Sequence, residues 1–491
     1  MKKTIMRFFP AVSVLALAAG CFGIEDADYR ELEPITLTAL SDTISARQGI
    51  ELVYKGLKVE SALNAACEWA YGVEKNNSTA TNRIFSSLKV ISTAPTINYT
   101  FPDAGAFTLR LKVDNGECIV YKYFTLNVDS GFDEGLLVLD NDAGGKAYLS
   151  FLKTLSADQQ AAGEEDFFPD IFSGINPAYS LVRGTDVDMM VSGKSKLPVV
   201  TIATNDGEGT LYKLDATTLT VFSVNRMTEF GSWCKELGWE GTSSFSVNFV
   251  GADREIYAFD VESDFITSMT DMKKVGHADR VSSTYNRSNA ASGDARWTVA
   301  FSADSIFCHG SSSRYDGQGF PGYEIINVAC RRTASASEAL YVLLKNTEDG
   351  TYEIRSGNRT VRSPLKKVAA FAADPLKMDR NSRLVNSKNT GDIYYSYDDD
   401  VYRWSLTSPP GSAPAIDIPD GERIVDLAVN FKHVKGEGGE DLLYVLTVNP
   451  DRPGDKKGSL FVYRFSDDTQ VKSYEGVFHG PVGMAYKYRT N

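Results

Sequence analysis

Seven times between positions 146 and 465 the chain sets a short, aromatic-rich apolar run against polar neighbours. The copies read KAYLSF from Lys146, TLYKLD from Thr210, EIYAFD from Glu255, DSIFC from Asp304, TYEI from Thr351, VYRWS from Val401 and FVYRF from Phe461. Each run has the length and β-branched or aromatic content of one strand and is too short for a helix. They recur at intervals of about 45 to 64 residues, a period typical of small sheets repeated around an axis. The pattern therefore predicts an all-β ring, a β-propeller of roughly seven blades over residues 130–491.

Other apolar runs fall between the copies: Leu197–Ala203, Phe245–Val250, Val368–Ala373, Ile424–Phe431 and Leu442–Thr447. The fullest unit is the last, with Ile424–Phe431, Leu442–Thr447, Leu460–Phe465 and Val471–Val477 as successive strands. The first unit has no counterpart to Ile424–Phe431, because it starts directly at Gly135-Leu136-Leu137-Val138-Leu139. The tail Val482–Tyr488 is a strand with no unit of its own. It is expected to supply the inner strand of the first blade, pairing near Leu136–Leu139, so that no sheet edge stays open at the seam.

Residues 34–129 follow a different rhythm, several short strands with turns. In Ala66–Tyr71 the alternation puts Cys67, Trp69 and Tyr71 on one side and Glu68 on the other. From Phe107 to Val113 the odd positions face inward, and Asp114-Asn115-Gly116 is a hairpin signal. The expected product is a small β-sandwich nucleated by Trp69, since a buried Trp removes about 200 Å² from water.

Composition narrows the function classes. A net charge of −13 repels phosphate backbones and argues against a nucleic-acid partner. Residues 1–21 read as a targeting segment: Lys2 and Lys3, an apolar run from Phe8 to Ala19, then Ala18-Ala19-Gly20-Cys21. Ending on Cys, it resembles a bacterial lipoprotein signal, with Cys21 acylated and held in outer-membrane lipid. Residues 22–33 form a tether whose acidic cluster, Glu25-Asp26-Ala27-Asp28, resembles a surface-export signal. The other cysteines are Cys67, Cys118, Cys234, Cys308 and Cys330. An exported chain permits disulfides, and Cys67–Cys118 is the candidate bridge; the rest are expected to be buried small hydrophobes.

Candidate chemistry is sparse. The four histidines are far apart in sequence and in no metal-ligand spacing, so no metal centre and no cofactor are expected. No nucleophile elbow or Walker loop occurs, and no catalytic residue is assigned. Asp398-Asp399-Asp400 reads as a solvated turn. Long inter-strand segments carry the binding candidates. Ser156–Ser180 mixes acids with Phe167, Phe168 and Phe172. Phe230–Gly241 brings Trp233 and Trp239; Ser311–Tyr323 brings Arg314, Tyr315, Phe320 and Tyr323. Lys273–Arg296 is a basic island with Arg280 and Arg287. Aromatic faces beside Arg suit sugar rings or extended peptides.

The strand around Trp69, then YTFPDAGAFTLRLKV from Tyr99, a hairpin and a final strand together resemble the polycystic-kidney-disease (PKD) immunoglobulin-like domain. The acidic loop of that family is missing here, where Ala70-Tyr71-Gly72-Val73-Glu74 stands instead. With the lipoprotein signal and GLLVLDNDAGGKAYLSFL from Gly135, the layout resembles the PKD-like lipoproteins of gut Bacteroidetes. The resemblance implies a surface-exposed outer-membrane lipoprotein. It would act as a non-enzymatic accessory subunit binding a glycan or peptide beside a TonB-dependent transporter of the starch-utilisation type and its surface lipoproteins. A propeller glycoside hydrolase or lyase, and a structural or adhesive surface protein, are the alternatives.

Overall fold

The computed structural model describes residues 31–488 apart from 76–82, 130, 162, 192–197, 240–245, 270–275, 286–295, 310–314, 333–337, 359–362, 373–375, 387–391 and 431–440. Cys21 lies outside the described residues. The chain divides into two units, the first drawn mainly from residues before Val128 and the second running from Val128 onward.

Among the described residues the regular elements of the first unit are all strands. A five-stranded sheet runs in the order Thr43–Arg47, Ile119–Asp129, Gly105–Asp114, Ala66–Gly72 and Lys89–Ser92, and two further pairs join Thr36–Ala39 to Leu57–Glu60 and Glu51–Tyr54 to Ile97–Thr100. Trp69 lies at the centre with no exposed surface, edge-on to Tyr54 and against Phe124 at 5.6 Å between ring centroids. Leu109, Leu111 and Val113 face the same core, as the odd-position pattern requires. The Asp114–Gly116 signal does form the turn, with the Asn115 N–H donating to the Cys118 carbonyl and Gly116 at φ 86°. One expectation is corrected here. Cys67 and Cys118 are both free thiols. Cys67 is buried mid-strand opposite Val113, whereas Cys118 sits in the turn beyond the end of that strand, half-buried.

Among the described residues the second unit contains seven four-stranded antiparallel sheets. In chain order their third strands are Ala147–Lys153, Thr210–Asp215, Ile256–Asp260, Ser305–His309, Tyr352–Asn358, Asp400–Trp404 and Gly458–Arg464. These are the seven aromatic-rich runs of the sequence, each in the same place in its sheet. They are numbered sheets 1 to 7 in that order.

Packing explains the composition of those runs. A separate hydrophobic cluster lies between sheets 2 and 3, 3 and 4, 4 and 5, 5 and 6, and 6 and 7, and the largest joins sheets 7, 1 and 2. A third strand is therefore buried on both faces: Ile306 and Cys308 point into the cluster shared with sheet 5, and Phe307 into the one shared with sheet 3. Such a strand needs apolar side chains at successive positions, not at alternate ones.

The seam is where the tail pattern placed it. Gly480–Lys487 pairs antiparallel with Gly135–Asn141, with Tyr486 opposite Leu136, Met484 opposite Val138 and Gly483 opposite Leu139. It is the first strand of sheet 1, and it touches the first strands of both sheet 7 and sheet 2. Asp140 clasps the join: its Oδ2 accepts the His479 N–H at 2.8 Å and faces His479 Nδ1 at 2.9 Å, with the imidazole stacked on Tyr148.

Candidate functional site

A strand buried on both faces must still place its polar positions somewhere, and here they converge where the first strands meet. In four of these strands the ladder slips by one residue just before a polar side chain: before Asp186, Glu236, Asn327 and Asp426. A bulge re-aims the next side chain without breaking the strand. The four residues, with Arg280, Ser282 and Arg383, line one cavity of about 110 Å³. Gly483 holds the matching place in sheet 1; a Cβ there would meet Asp186 Oδ1 at 2.8 Å.

These side chains stitch each sheet to the next. Asp186 Oδ2 accepts the Leu237 N–H at 2.7 Å, Glu236 Oε2 the Val281 N–H at 3.0 Å, and Asp426 Oδ2 the Met484 N–H at 3.0 Å. Ser282 Oγ donates to the Val328 carbonyl at 2.6 Å, and Asn327 Nδ2 donates to the Asp379 and Ser382 carbonyls at 3.0 Å each. Arg383 Nε lies 3.9 Å from Asp426, and Asn141 exchanges a pair of 2.8 Å bonds with the Gly184 backbone. Every neighbouring pair of sheets, from 1–2 round to 7–1, is joined in this way.

The electrostatics are uneven around the belt. Glu236 is almost completely buried and faces two guanidiniums. Arg280 binds it through Nε at 2.8 Å and Nη2 at 2.9 Å, and Arg383 through Nη1. Burial works to raise its pKa, but Arg383 and Arg280 outweigh that and hold the carboxyl at about 2. Asp186 goes the other way: burial, reinforced by the nearby Asp426 and Glu236 charges, lifts it well above the usual carboxylate range despite Arg383. Burial also raises Asp426. One cavity thus holds a carboxylate kept ionised beside two carboxyls biased towards the neutral form.

The binding candidates from the sequence are dispersed. Trp233, Arg280 and Tyr323 stand at or just before the leading ends of three first strands, whereas Trp239 is the last residue of Cys234–Trp239 and Tyr315 opens a fourth strand. Arg287 and Arg314 lie outside the described residues. Three assignments change. Arg280 does not belong to a basic loop; it starts a strand and is committed to Glu236 and the Arg380 carbonyl. Phe320 is core, only 1% exposed. Tyr323 donates its hydroxyl to Glu353 at 3.0 Å with Arg355 against its ring, and is half-buried. Ser156–Ser180 is also not a free loop. Phe167–Phe168 is the fourth strand of sheet 1, Phe172 is buried, and Asp166 accepts the Tyr474 hydroxyl at 2.7 Å.

The belt was missed in the sequence although it leaves a trace. A polar or Gly residue followed by an aliphatic one recurs as Asp186-Val187, Glu236-Leu237, Arg280-Val281, Asn327-Val328, Arg383-Leu384, Asp426-Leu427 and Gly483-Met484. The dipeptide is too common to stand out without the sheet register. Among the described residues no group of acids, cysteines and histidines is arranged to hold a metal ion.

No family model and no curated relative matches the chain. Among solved structures, a quinonprotein alcohol dehydrogenase-like protein from Bacteroides thetaiotaomicron aligns over 92% of this chain and 99% of its own, at 14% identity and a TM-score of 0.50. The β-propeller domain of Cps50 (Swd1) from Myceliophteria thermophila aligns over 62% of this chain and 90% of its own, at 10% identity and a TM-score of 0.40. At such identity the first likeness speaks for the fold alone: an all-β, propeller-like architecture.

Proposed function

We propose that the chain is a lipid-anchored, surface-exposed protein of the outer membrane that binds a nutrient without transforming it. In this reading the first unit is an immunoglobulin-like domain of the PKD type, and the seven sheets are the blades of a closed propeller. Cys21 carries the lipid. The protein serves a starch-utilisation-type TonB-dependent transporter and its surface lipoproteins. The observation that carries the non-enzymatic reading is the belt: the charged side chains of the central cavity are engaged by neighbouring backbone or by each other. That chemistry holds sheets together and leaves recognition to the leading ends of the first strands, where Trp233 stands. The test is a pull-down of the tagged protein from detergent-solubilised outer membrane. Co-recovery of a TonB-dependent transporter supports the accessory role, and recovery of none refutes it. Cys21→Ser is expected to move the protein out of the membrane fraction.

One observation favours a second reading, a glycoside hydrolase or lyase. Asp186 and Asp426 share a cavity and both have raised pKa values, the setting a general acid requires. Release of reducing sugar or unsaturated product from a polysaccharide panel, abolished by Asp186→Asn, would establish it in place of the binding role.

A further inference from the structure

The outer face of the five-stranded sheet in the first unit carries a side-chain pattern that its core does not need. Along Ile119–Asp129 the residues facing the core are Phe124, Leu126 and Val128, all buried. On the opposite face stand Ile119, 52% exposed, Tyr121, 48% exposed, and Tyr123. The Tyr121 and Tyr123 ring centroids are 6.5 Å apart with planes within 19°, and Phe85 extends the row at 6.4 Å and 17°. Three like-oriented rings thus follow one another at a nearly constant pitch.

Beside the two tyrosines lies the same polar device, once each. The Arg83 guanidinium rests 4.6 Å from the Tyr123 ring and pairs with Glu74, which also accepts the Thr108 hydroxyl at 2.7 Å. The Arg110 guanidinium rests 5.6 Å from the Tyr121 ring and pairs with Glu68 at 2.5 Å. Lys122 pairs with Asp42 at 2.7 Å. A depression of about 460 Å³ bordered by Asp42, Arg83, Thr108, Tyr121 and Tyr123 lies alongside.

A ligand for this face must repeat, because apolar ring and hydrogen-bonding pair repeat together. It must offer apolar surface and hydroxyl-like groups in each repeat, because each step supplies both. It must be uncharged, because each cation beside the row already has a carboxylate partner. We propose that this sheet face is a binding platform for a neutral polysaccharide chain, with Tyr121 and Tyr123 as its anchors. An exposed apolar row of this kind ordinarily marks a recognition surface. The proposal does not depend on the role given to the seven-sheet unit, since its residues all lie in the first unit.

The test is affinity electrophoresis of the full chain in native gels containing amylopectin, xyloglucan, galactomannan or a soluble β-1,3-glucan. At least one gel is expected to retard the protein. Tyr121→Ala/Tyr123→Ala is expected to weaken that retention at least tenfold in apparent Kd, with the thermal transition unchanged. Phe265→Ala, an exposed ring of the other unit to which no binding role is given, is the control: it is expected to leave this retention intact. Migration unaffected by all four glycans, or retention that survives loss of both tyrosines, would overturn the proposal. Retention that charged polysaccharides reproduce and salt abolishes would overturn it too.

Discussion

Replacing Glu236 by Ala is the sharpest probe of the belt. The substitution removes the acceptor of two Arg280 bonds, one Arg383 bond and the Val281 N–H. It leaves two like charges side by side, with the Arg280 and Arg383 side chains 11% and 34% exposed. Two routes give the magnitude. Breaking a buried ion pair by removing one partner costs about 3–5 kcal/mol, discounted on the better-solvated Arg383 side. Independently, a carboxyl lowered from 4.5 to about 2 corresponds to about 3 kcal/mol at neutral pH. For a unit of this size, where each kcal/mol shifts the midpoint by only about 1.3 °C, that means a fall of roughly 4–7 °C in the seven-sheet transition. The sign with pH follows from the depressed value. The contribution is complete above the unfolded pKa and disappears as pH falls from about 4.5 to about 2. Wild type and variant should therefore converge in acid. Glu236→Gln, which keeps the shape, should lose less. The assay is calorimetry or far-ultraviolet circular dichroism melting at pH 7 and pH 3. A Glu236→Ala midpoint within about 2 °C of wild type at pH 7 would refute the claim that this carboxylate holds the belt together.

Asp186→Asn should act in the opposite sense. A raised carboxyl binds protons on folding, so its penalty is absent in acid and grows as pH rises through the folded pKa. The variant should melt higher than wild type at pH 8 and no higher at pH 4, and a lower midpoint at pH 8 would contradict this. Deleting residues 480–491 removes buried Met484, Ala485, Tyr486 and Tyr488 and bares the edge of Gly135–Asn141. The seven-sheet unit should lose its cooperative transition and become sensitive to limited proteolysis, and a melt unchanged within about 2 °C would count against ring closure. Trp69→Ala should cost about 3–5 kcal/mol and unfold the first unit alone, seen as a lost low-temperature or high-temperature transition in calorimetry. Cys67, Cys118, Cys234, Cys308 and Cys330 should all react with a thiol reagent in non-reducing denaturant.

What the sequence disclosed and what it hid have a common physical origin. The third strands were legible because both of their faces are buried, so their apolar content is dense and aromatic, as at Val401, Tyr402 and Trp404 in sheet 6. The tail strand was legible because Met484, Tyr486 and Tyr488 formed an apolar alternation with nothing adjacent in sequence to pair with. Among the described residues the four long segments contain short strands, hidden in the sequence because strands at an outer or leading edge carry few apolar residues. Phe167–Phe168 has two residues, and Tyr315–Gly319 is mostly glycine and polar. The Cys67–Cys118 bridge failed for a related reason: two cysteines in one small domain suggest proximity, but strand register decides it, and Cys67 lies opposite Val113.

Arg280 shows why site chemistry is harder to read than architecture. In sequence it belongs with Lys273, Lys274 and Arg287, and the local charge count makes a basic patch. In the fold its partner is Glu236, 44 residues away and in the preceding sheet, and the bulge before Glu236 aims that carboxylate at it. Local pattern fixes which residues are apolar, because burial is a property that neighbours in one strand share. Charge pairing is settled by register between strands, and a one-residue slip in a first strand decides whether an acid faces the cavity or a hydrophobic cluster. The ladder slips before Asp186, Glu236, Asn327 and Asp426 therefore specify the belt as directly as the side chains do. Removing a bulge residue, Thr185 or Val425, should therefore turn the acid that follows away from its backbone partner in the next sheet, the Leu237 or Met484 N–H.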